Sequence, residues 1–161
     1  MFKNGTAPTS KQQLYLCNLF NGQLNYPLTY YSTDIFINEN NIAIEYDGGG
    51  HDLTVKCGNI TYEEFRKKEI IRSNFIKKVG MKLIKIICPN DLLSSDTKLL
   101  EMYDFAKYYF DATNHTWIEF YPEENKYRNV EHKDSDGAFY DYGELRKISK
   151  DDISIKEVEN E

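Results

Sequence analysis

Two short apolar runs joined by four polar residues constrain this chain more than any other feature. The runs span residues 30–37 and 42–46, and the connector is Asn38-Glu39-Asn40-Asn41. A polar, Asn-rich connector of this length is typical of a turn between antiparallel strands. Because Asp47-Gly48-Gly49-Gly50 follows the second run, the sequence predicts a β-hairpin that ends in a glycine turn of unusual backbone freedom.

Capping patterns predict a helix on each side of this hairpin. Ser10-Lys11-Gln12-Gln13 opens a helix over residues 10–20, which Gly22 and Pro27 end, and Thr61-Tyr62-Glu63-Glu64 opens a second helix that runs to Gly80. The remaining predicted elements are a strand over 81–87, a helix over 95–110 and a strand over 116–121. The order α-β-β-α-β-α-β indicates an α/β (α+β) fold in which helices flank a mixed sheet.

The acidic residues are concentrated near the C-terminus. Residues 119–161 hold thirteen acids and seven bases, which accounts for the whole formal charge of −6. We therefore divide the chain into a folded domain over 1–121 and an acidic extension over 122–161, partly packed and frayed at its end. Residues 56–85, in contrast, hold nine bases and three acids. That segment is either a phosphate-binding surface or a solvated helix face.

The cysteines and the hydropathy pattern bear on the compartment. Cys17, Cys57 and Cys88 are widely spaced and form no CxxC pair, which supports neither a disulfide framework nor a zinc knuckle. No apolar run approaches eighteen residues, and the first ten residues lack the layout of a secretory signal. We expect a cytoplasmic protein without a membrane span.

Three carboxylates lie within or directly after the two runs, at positions where strands are normally apolar. Asp34 lies inside the first run, and Glu45 and Asp47 share one face of the second because side chains alternate along a strand. Pairing of the two runs can bring Asp34 beside Glu45. Such a cluster is electrostatically costly unless a divalent cation neutralises it, and oxygen ligands without paired Cys or His favour Mg²⁺ or Mn²⁺ over zinc.

His51 follows this cluster across the glycine turn. A flexible turn can fold the imidazole back over the carboxylates, where it could transfer a proton or neutralise charge on a phosphorane. Each of these residues alone has an ordinary interpretation, as an acid on a strand edge or a histidine in a loop. Together, Asp34, Glu45, Asp47 and His51 predict a site for metal-dependent phosphodiester chemistry.

The same residues carry a resemblance to a known family. The motifs are Thr33-Asp34-Ile35, Ile44-Glu45-Tyr46-Asp47-Gly48 with His51, Glu69-Ile70-Ile71-Arg72, and Val79-Gly80 before the strand over 81–87. With them, residues 10–87 resemble the Vsr-like branch of the PD-(D/E)XK nuclease superfamily, near the DUF559-type and EDxHD proteins of bacteria and phages. The resemblance implies a restriction-endonuclease-like core and a Mg²⁺- or Mn²⁺-dependent DNA endonuclease of a homing, mobile-element or repair type.

The resemblance also implies roles for individual residues. It makes Asp34, Glu45 or Asp47 and the carbonyl of Tyr46 the metal ligands, with His51 as the acid–base or charge partner. Two further residues join the implied site, Gln13 on the first helix and Glu69 at the start of an acid-x-x-Arg pair. The chain departs from the family in having Gln12 and Gln13 where the first helix often offers a Glu, and in having Asp47 where the superfamily usually has a lysine.

DNA is the partner that the resemblance implies. The expected phosphate contacts are Lys56, Arg66, Lys67, Arg72, Lys77 and Lys78. Contacts of this kind carry no sequence information, and the sequence contains no evident base-reading module. Target specificity would then come from a separate DNA-targeting domain or a protein partner.

Two other functions stay open at the level of sequence. The chain could be a catalytically degenerate nuclease fold that binds nucleic acid or protein, or an enzyme acting on a small phosphate ester. The numerous tyrosines are interpreted as core and rim residues rather than as a base-stacking platform: Tyr26, Tyr30, Tyr31, Tyr103, Tyr108 and Tyr109.

Overall fold

The structure, a computed structural model, describes residues 10–49, 58, 60–113, 115–131 and 138–144. Within these ranges the protein consists of three α-helices and a seven-stranded mixed sheet. The helices are α1 (Lys11–Phe20), α2 (Tyr62–Lys78) and α3 (Asp96–Ala112). The strands are β1 (Gln23–Pro27), β2 (Ser32–Ile37), β3 (Ile42–Asp47), β4 (Lys82–Ile87), β5 (Trp117–Tyr121), β6 (Lys126–Glu131) and β7 (Ala138–Glu144). The predicted α+β class is confirmed.

The spatial order of the strands follows the order of the chain, from β1 to β7. β1, β2 and β3 form an antiparallel meander, β3, β4 and β5 run parallel, and β5, β6 and β7 are again antiparallel. The two parallel connections contain α2 and α3, as a crossover between parallel strands requires. The predicted β2–β3 hairpin is present, and its connector ends at Asn41 in the left-handed conformation (φ 54°).

The strand β1 was not expected, because Gly22 and Pro27 indicate a break in regular structure. β1 lies at the edge of the sheet, where a proline is tolerated because its missing N–H faces no neighbouring strand. Asn25 has a positive φ of 50°, and the pairing with β2 skips it. Two further strands, β6 and β7, lie beyond Tyr121, so the observed order is α-β-β-β-α-β-α-β-β-β and the sheet continues into the acidic extension.

The helices cover opposite faces of the sheet. The face toward α1 and α3 is apolar, and its central row crosses four strands as Ile35, Ile44, Ile84 and Ile118. The other face has an apolar row of Phe36, Ala43, Leu83 and Trp117, in one cluster with Ile76 of α2. The next row on the α2 side is charged. No helix within the described ranges is long and apolar enough to span a membrane.

Candidate active site

The hairpin strands β2 and β3 separate at Asp34 and Glu45. Their pairing extends only as far as Ile35 opposite Ile44, whereas β3 stays paired with β4 up to Asp47. Beyond this point the backbone N–H of Asp34 donates to Oε2 of Glu45 (2.8 Å), and the N–H of Tyr46 donates to Oδ2 of Asp34 (2.9 Å). Each carboxylate thus accepts an amide of the opposite strand. We call this break, formed by Asp34, Glu45 and their amide partners, the fork.

The Glu45 carboxylate is surrounded by donors. Oε2 also accepts the hydroxyl of Thr33 (2.9 Å), and Oε1 forms an ion pair with Arg72 of α2. The guanidinium of Arg72 additionally donates to the carbonyl of Ser32. Glu45 is only 2% exposed, so these contacts provide the charge compensation that a buried carboxylate requires.

Helix α2 carries Arg72, whose guanidinium reaches the fork. Thr61 and Glu64 form the complete predicted capping box at its N-terminus. Arg72, Ser73 and Ile76 then face the sheet over about one turn, since residues three and four apart share a helix face. Burial lowers the pKa of Arg72, and the negative charge of Asp34 offsets only part of this effect.

Charged side chains form a row of alternating sign across β3, β4, β5 and β6. In register, Glu45 lies beside Lys85, Lys85 beside Glu119, and Glu119 beside Arg128. Nε of Arg128 donates to Oε1 of Glu119 at 3.0 Å. We call these four residues the charged row. With Arg72 at one end, they give the interface between the sheet and α2 an ionic centre.

Lys85 is the most deeply buried base of the charged row, at 4% exposure. Its Nζ lies 3.3 Å from Oε1 of Glu69, 4.0 Å from Oδ2 of Asp47 and 5.3 Å from the centre of the Trp117 ring. Burial lowers the pKa of Lys85, but the negative charges of Asp47, Glu69 and Glu119 outweigh it and raise the pKa overall. Lys85 is therefore held as a cation, and it brings Glu69 and Asp47 together.

The glycine turn after Asp47 packs tightly against the loop that follows β4. A Cβ on Gly48 would meet Oδ1 of Asp91 at 2.3 Å, and a Cβ on Gly49 would meet the carbonyl of Pro89 at 2.9 Å. Oδ1 of Asp91 also accepts the phenol of Tyr46 (2.6 Å) and the N–H of Gly49 (3.3 Å). Burial and this bond to Asp91 raise the pKa of Tyr46. Lack of space therefore favours glycine at both positions: the nearest obstacle is the backbone of Pro89 at Gly49, and the side chain of Asp91 at Gly48.

Gln13 reaches the fork from the other side of the sheet. Ser10 caps α1 by accepting the N–H of Gln13, as predicted, but the Gln13 side chain turns inward. Its Nε2 donates to Oδ1 of Asn25 (3.1 Å) and to the carbonyl of Asp34 (3.4 Å). Gln13 therefore holds the backbone of Asp34 and contacts neither carboxylate through these bonds.

In the described arrangement, the Glu45 carboxylate of the implied Mg²⁺ or Mn²⁺ ligand set is already engaged by protein groups. Both oxygens of Glu45 accept protein donors, and the positive charge of Arg72 beside them opposes a second cation. Among the residues with described positions, no group of three or more Asp, Glu, His or Cys side chains is arranged to hold a metal ion. Asp34 and Glu45 could share a cation only if Arg72 left Glu45.

Several predicted site residues lie apart from this cluster or outside the described residues. His51 and Lys56 are outside the described ranges, and so is the side chain of Arg66. Lys67 and Lys78 are exposed on α2 and Lys77 is half-buried, so their DNA contacts stay predictions. Arg72 is engaged with Glu45 in this arrangement, and its expected contact with a phosphate also stays a prediction.

Sequence reasoning missed Lys85, Glu119 and Asp91. The first two carry a signal that could have found them, because each is a charged residue with apolar neighbours on both sides in a strand. A charged residue at such a position is buried and needs a partner of opposite sign. Asp91 has no such signal, since it lies in a loop whose partners come from β3.

Comparisons with protein-family models, with curated proteins and with solved structures found no match to this chain.

Proposed function

We propose that this protein is an endonuclease that hydrolyses phosphodiester bonds of DNA. The fork carries the proposal. It places the carboxylates of Asp34 and Glu45 side by side at a point where continued backbone pairing would have stabilised the sheet more simply. Arrangements that interrupt regular pairing cost stability, and proteins keep them mainly at functional sites. The proposal places the protein in the cytoplasm of a bacterial or phage-infected cell.

Arg72 connects the carboxylates to a phosphate substrate. A guanidinium binds a phosphate in the same two-pronged way as a carboxylate, so an entering phosphate would compete with Glu45 for Arg72. The exposed Lys67 and Lys78 lie on the same helix and would hold neighbouring phosphates. In this proposal Arg72 stabilises charge on the reacting phosphate, while Asp34 orients or deprotonates the attacking water.

The requirement for Mg²⁺ or Mn²⁺ and the proton-transfer role of His51 stay predictions. Glu45 is released for a further contact only when Arg72 turns to the phosphate. Binding of Mg²⁺ or Mn²⁺ at Glu45 would therefore be detected in the presence of DNA.

A second candidate function is a nucleic-acid-binding module without catalysis. The observation that favours it is the pairing of the acids with protein cations, Glu45 with Arg72 and Asp47 with Lys85. Neutralised acids of this kind can be purely structural.

Nicking of supercoiled plasmid separates the two candidates. We expect the wild-type protein with Mg²⁺ or Mn²⁺ to convert supercoiled into open-circular DNA, and Asp34→Ala to lower the rate by about 100-fold or more, the usual size of a lost acid–base group. The measurement is the rate of conversion on agarose gels, with and without EDTA.

The matched control is Asp104→Ala, which removes an exposed acid from α3 on the opposite face. It should nick at the wild-type rate. If wild type and Asp34→Ala show the same residual background, the enzymatic proposal fails. DNA binding that weakens steeply with salt would then support the binding module.

A further inference from the structure

The turn between β1 and β2 presents a tyrosine to solvent beside the fork. Tyr30 is 81% exposed, the highest value among the exposed large hydrophobic side chains of the described residues. The turn that carries it is closed by a hydrogen bond from the N–H of Leu28 to the carbonyl of Tyr31 (2.6 Å). Both tyrosines pack against Phe75 of α2, with ring centres 6.0 Å and 5.2 Å apart. Tyr30 is thus supported from below while most of its surface is open, unlike the core and rim role expected for it.

The helix beneath Tyr30 offers a basic and apolar surface. Lys67, Ile71, Phe75 and Lys78 fall within about 80° of each other around α2, since each residue turns the helix by about 100°. Lys67 and Lys78 are exposed, and Ile71 is 58% exposed. We call Tyr30 with these four residues the Tyr30 surface. An exposed aromatic ring with cations on either side complements a nucleobase and the phosphates next to it.

This surface is close to the fork. Arg72, which pairs with Glu45, precedes Phe75 by three residues, about 4.5 Å along the helix axis. Arg72 also donates to the carbonyl of Ser32, two residues after Tyr30. A strand whose base contacts Tyr30 would therefore have a phosphate within reach of Arg72.

We propose that the Tyr30 surface binds single-stranded DNA by stacking one unpaired base on Tyr30. The inference rests on the proposed function and names its substrate class as DNA with an unpaired segment at the cleavage site. The bases of an intact duplex are already stacked on their neighbours, so Tyr30 would find no open base face there. Lys67 and Lys78 would contact phosphates in single and double strands alike.

The test is binding without cleavage, measured as fluorescence anisotropy of a labelled 20-nucleotide oligothymidine in EDTA. The same length of duplex is measured in parallel. Tyr30→Ala should weaken single-strand binding by about tenfold, within the range for loss of one stacked base. Duplex binding should change by less than twofold. Tyr30→Phe keeps the ring and should bind the single strand like wild type.

The matched control is Tyr62→Ala, which removes another exposed tyrosine, 62% exposed, from the N-terminal end of α2. Circular dichroism confirms that each variant is folded. Unchanged single-strand binding by Tyr30→Ala, an equal loss on duplex, or no single-strand binding by wild type would each overturn the inference. Tyr30-dependent binding in a protein that nicks no DNA would keep this inference and reject the endonuclease.

Discussion

Lys85 has surroundings that are unusual for a lysine. Lysine side chains generally keep the ammonium group in water, yet Lys85 lies beneath α2 among Asp47, Glu69 and Glu119. Removal of one member of such a buried group leaves the others without compensation. Loss of this cation would therefore weaken the charge compensation of Asp47, Glu69 and Glu119.

Replacement of Lys85 should be costly and pH-dependent. We expect Lys85→Met to lower the free energy of unfolding at pH 7 by about 3 kcal/mol. Because folding raises the pKa of Lys85, its contribution is complete below its ordinary pKa of 10.5 and is lost as the pH rises through the folded value. The difference between wild type and variant should thus be constant from pH 7 to 9 and shrink above about pH 10.5.

Urea unfolding at several pH values measures this difference. Lys107→Met is the control, since the Lys107 side chain is 37% exposed and its ammonium contacts Asp104 and the Tyr103 ring on the same helix, α3. It should change stability by less than about 0.5 kcal/mol. A loss of less than 1 kcal/mol in Lys85→Met, or a loss that persists unchanged at high pH, would contradict the expectation.

The contents of the site were predictable from sequence only in part. Asp34, Glu45 and Asp47 could be found because acids stand out in a hairpin, and alternation places the last two on one face. The pairing of Glu45 with Arg72 could not be predicted from sequence, because it depends on the angle at which α2 crosses the sheet. The neighbours of Lys85 could not be predicted either, because the register between parallel strands some forty residues apart has no local sequence signal.

At the scale of elements, local signals predicted the helices well and the edge of the sheet poorly. The Thr61 capping box and the Asn-rich connector each satisfy backbone groups by short-range contacts that a sequence reveals. β1 is held by pairing with β2 across a turn and by Gln13 of α1, in spite of Pro27 and the positive φ of Asn25. Such tertiary support overrides local preference.

A side chain at the first position of the glycine turn after β3 should destabilise the protein. We expect Gly48→Ala to destabilise the protein by about 2 kcal/mol, because the added methyl group would overlap Asp91 and the Tyr46 ring. The penalty should be smaller when Gly48→Ala is introduced into an Asp91→Ala background, where the nearest obstacle is gone. Thermal unfolding of the four proteins of this double-mutant cycle measures the coupling. Equal penalties in both backgrounds would show that Asp91 does not hold the turn.

At the scale of the whole molecule, the sheet extends across the boundary that charge distribution suggests at residue 121. β6 pairs with β5, and Tyr127 of β6 packs in the core, with its ring 5.0 Å from Phe105 and 6.1 Å from Phe120. The net charge of a segment is set mainly by its exposed residues, so it does not reveal which few residues are buried. The acidic composition of 122–161 therefore does not make that whole segment an appendage.

Truncation tests this continuity. A chain that ends after Tyr121 should lose about 10 °C in melting temperature, because Tyr127 leaves the core and Glu119 loses Arg128. It should also aggregate more readily, since β5 becomes an exposed edge. A chain that ends after Glu144 retains both strands and serves as the control. Equal melting temperatures for the two chains would show that β6 and β7 add nothing to the fold.

In the proposed function, the fork would couple ligand binding at its carboxylates to the separation of β2 and β3. At Asp34 and Glu45, β2 and β3 are joined by carboxylates that accept the amides of Asp34 and Tyr46. A ligand that takes these oxygens removes acceptors from the two amides, and a strand movement that pulls the amides away frees the oxygens. A change at the fork would therefore shift β2 and the turn between β1 and β2. A movement of that turn would in return change the positions of the carboxylates.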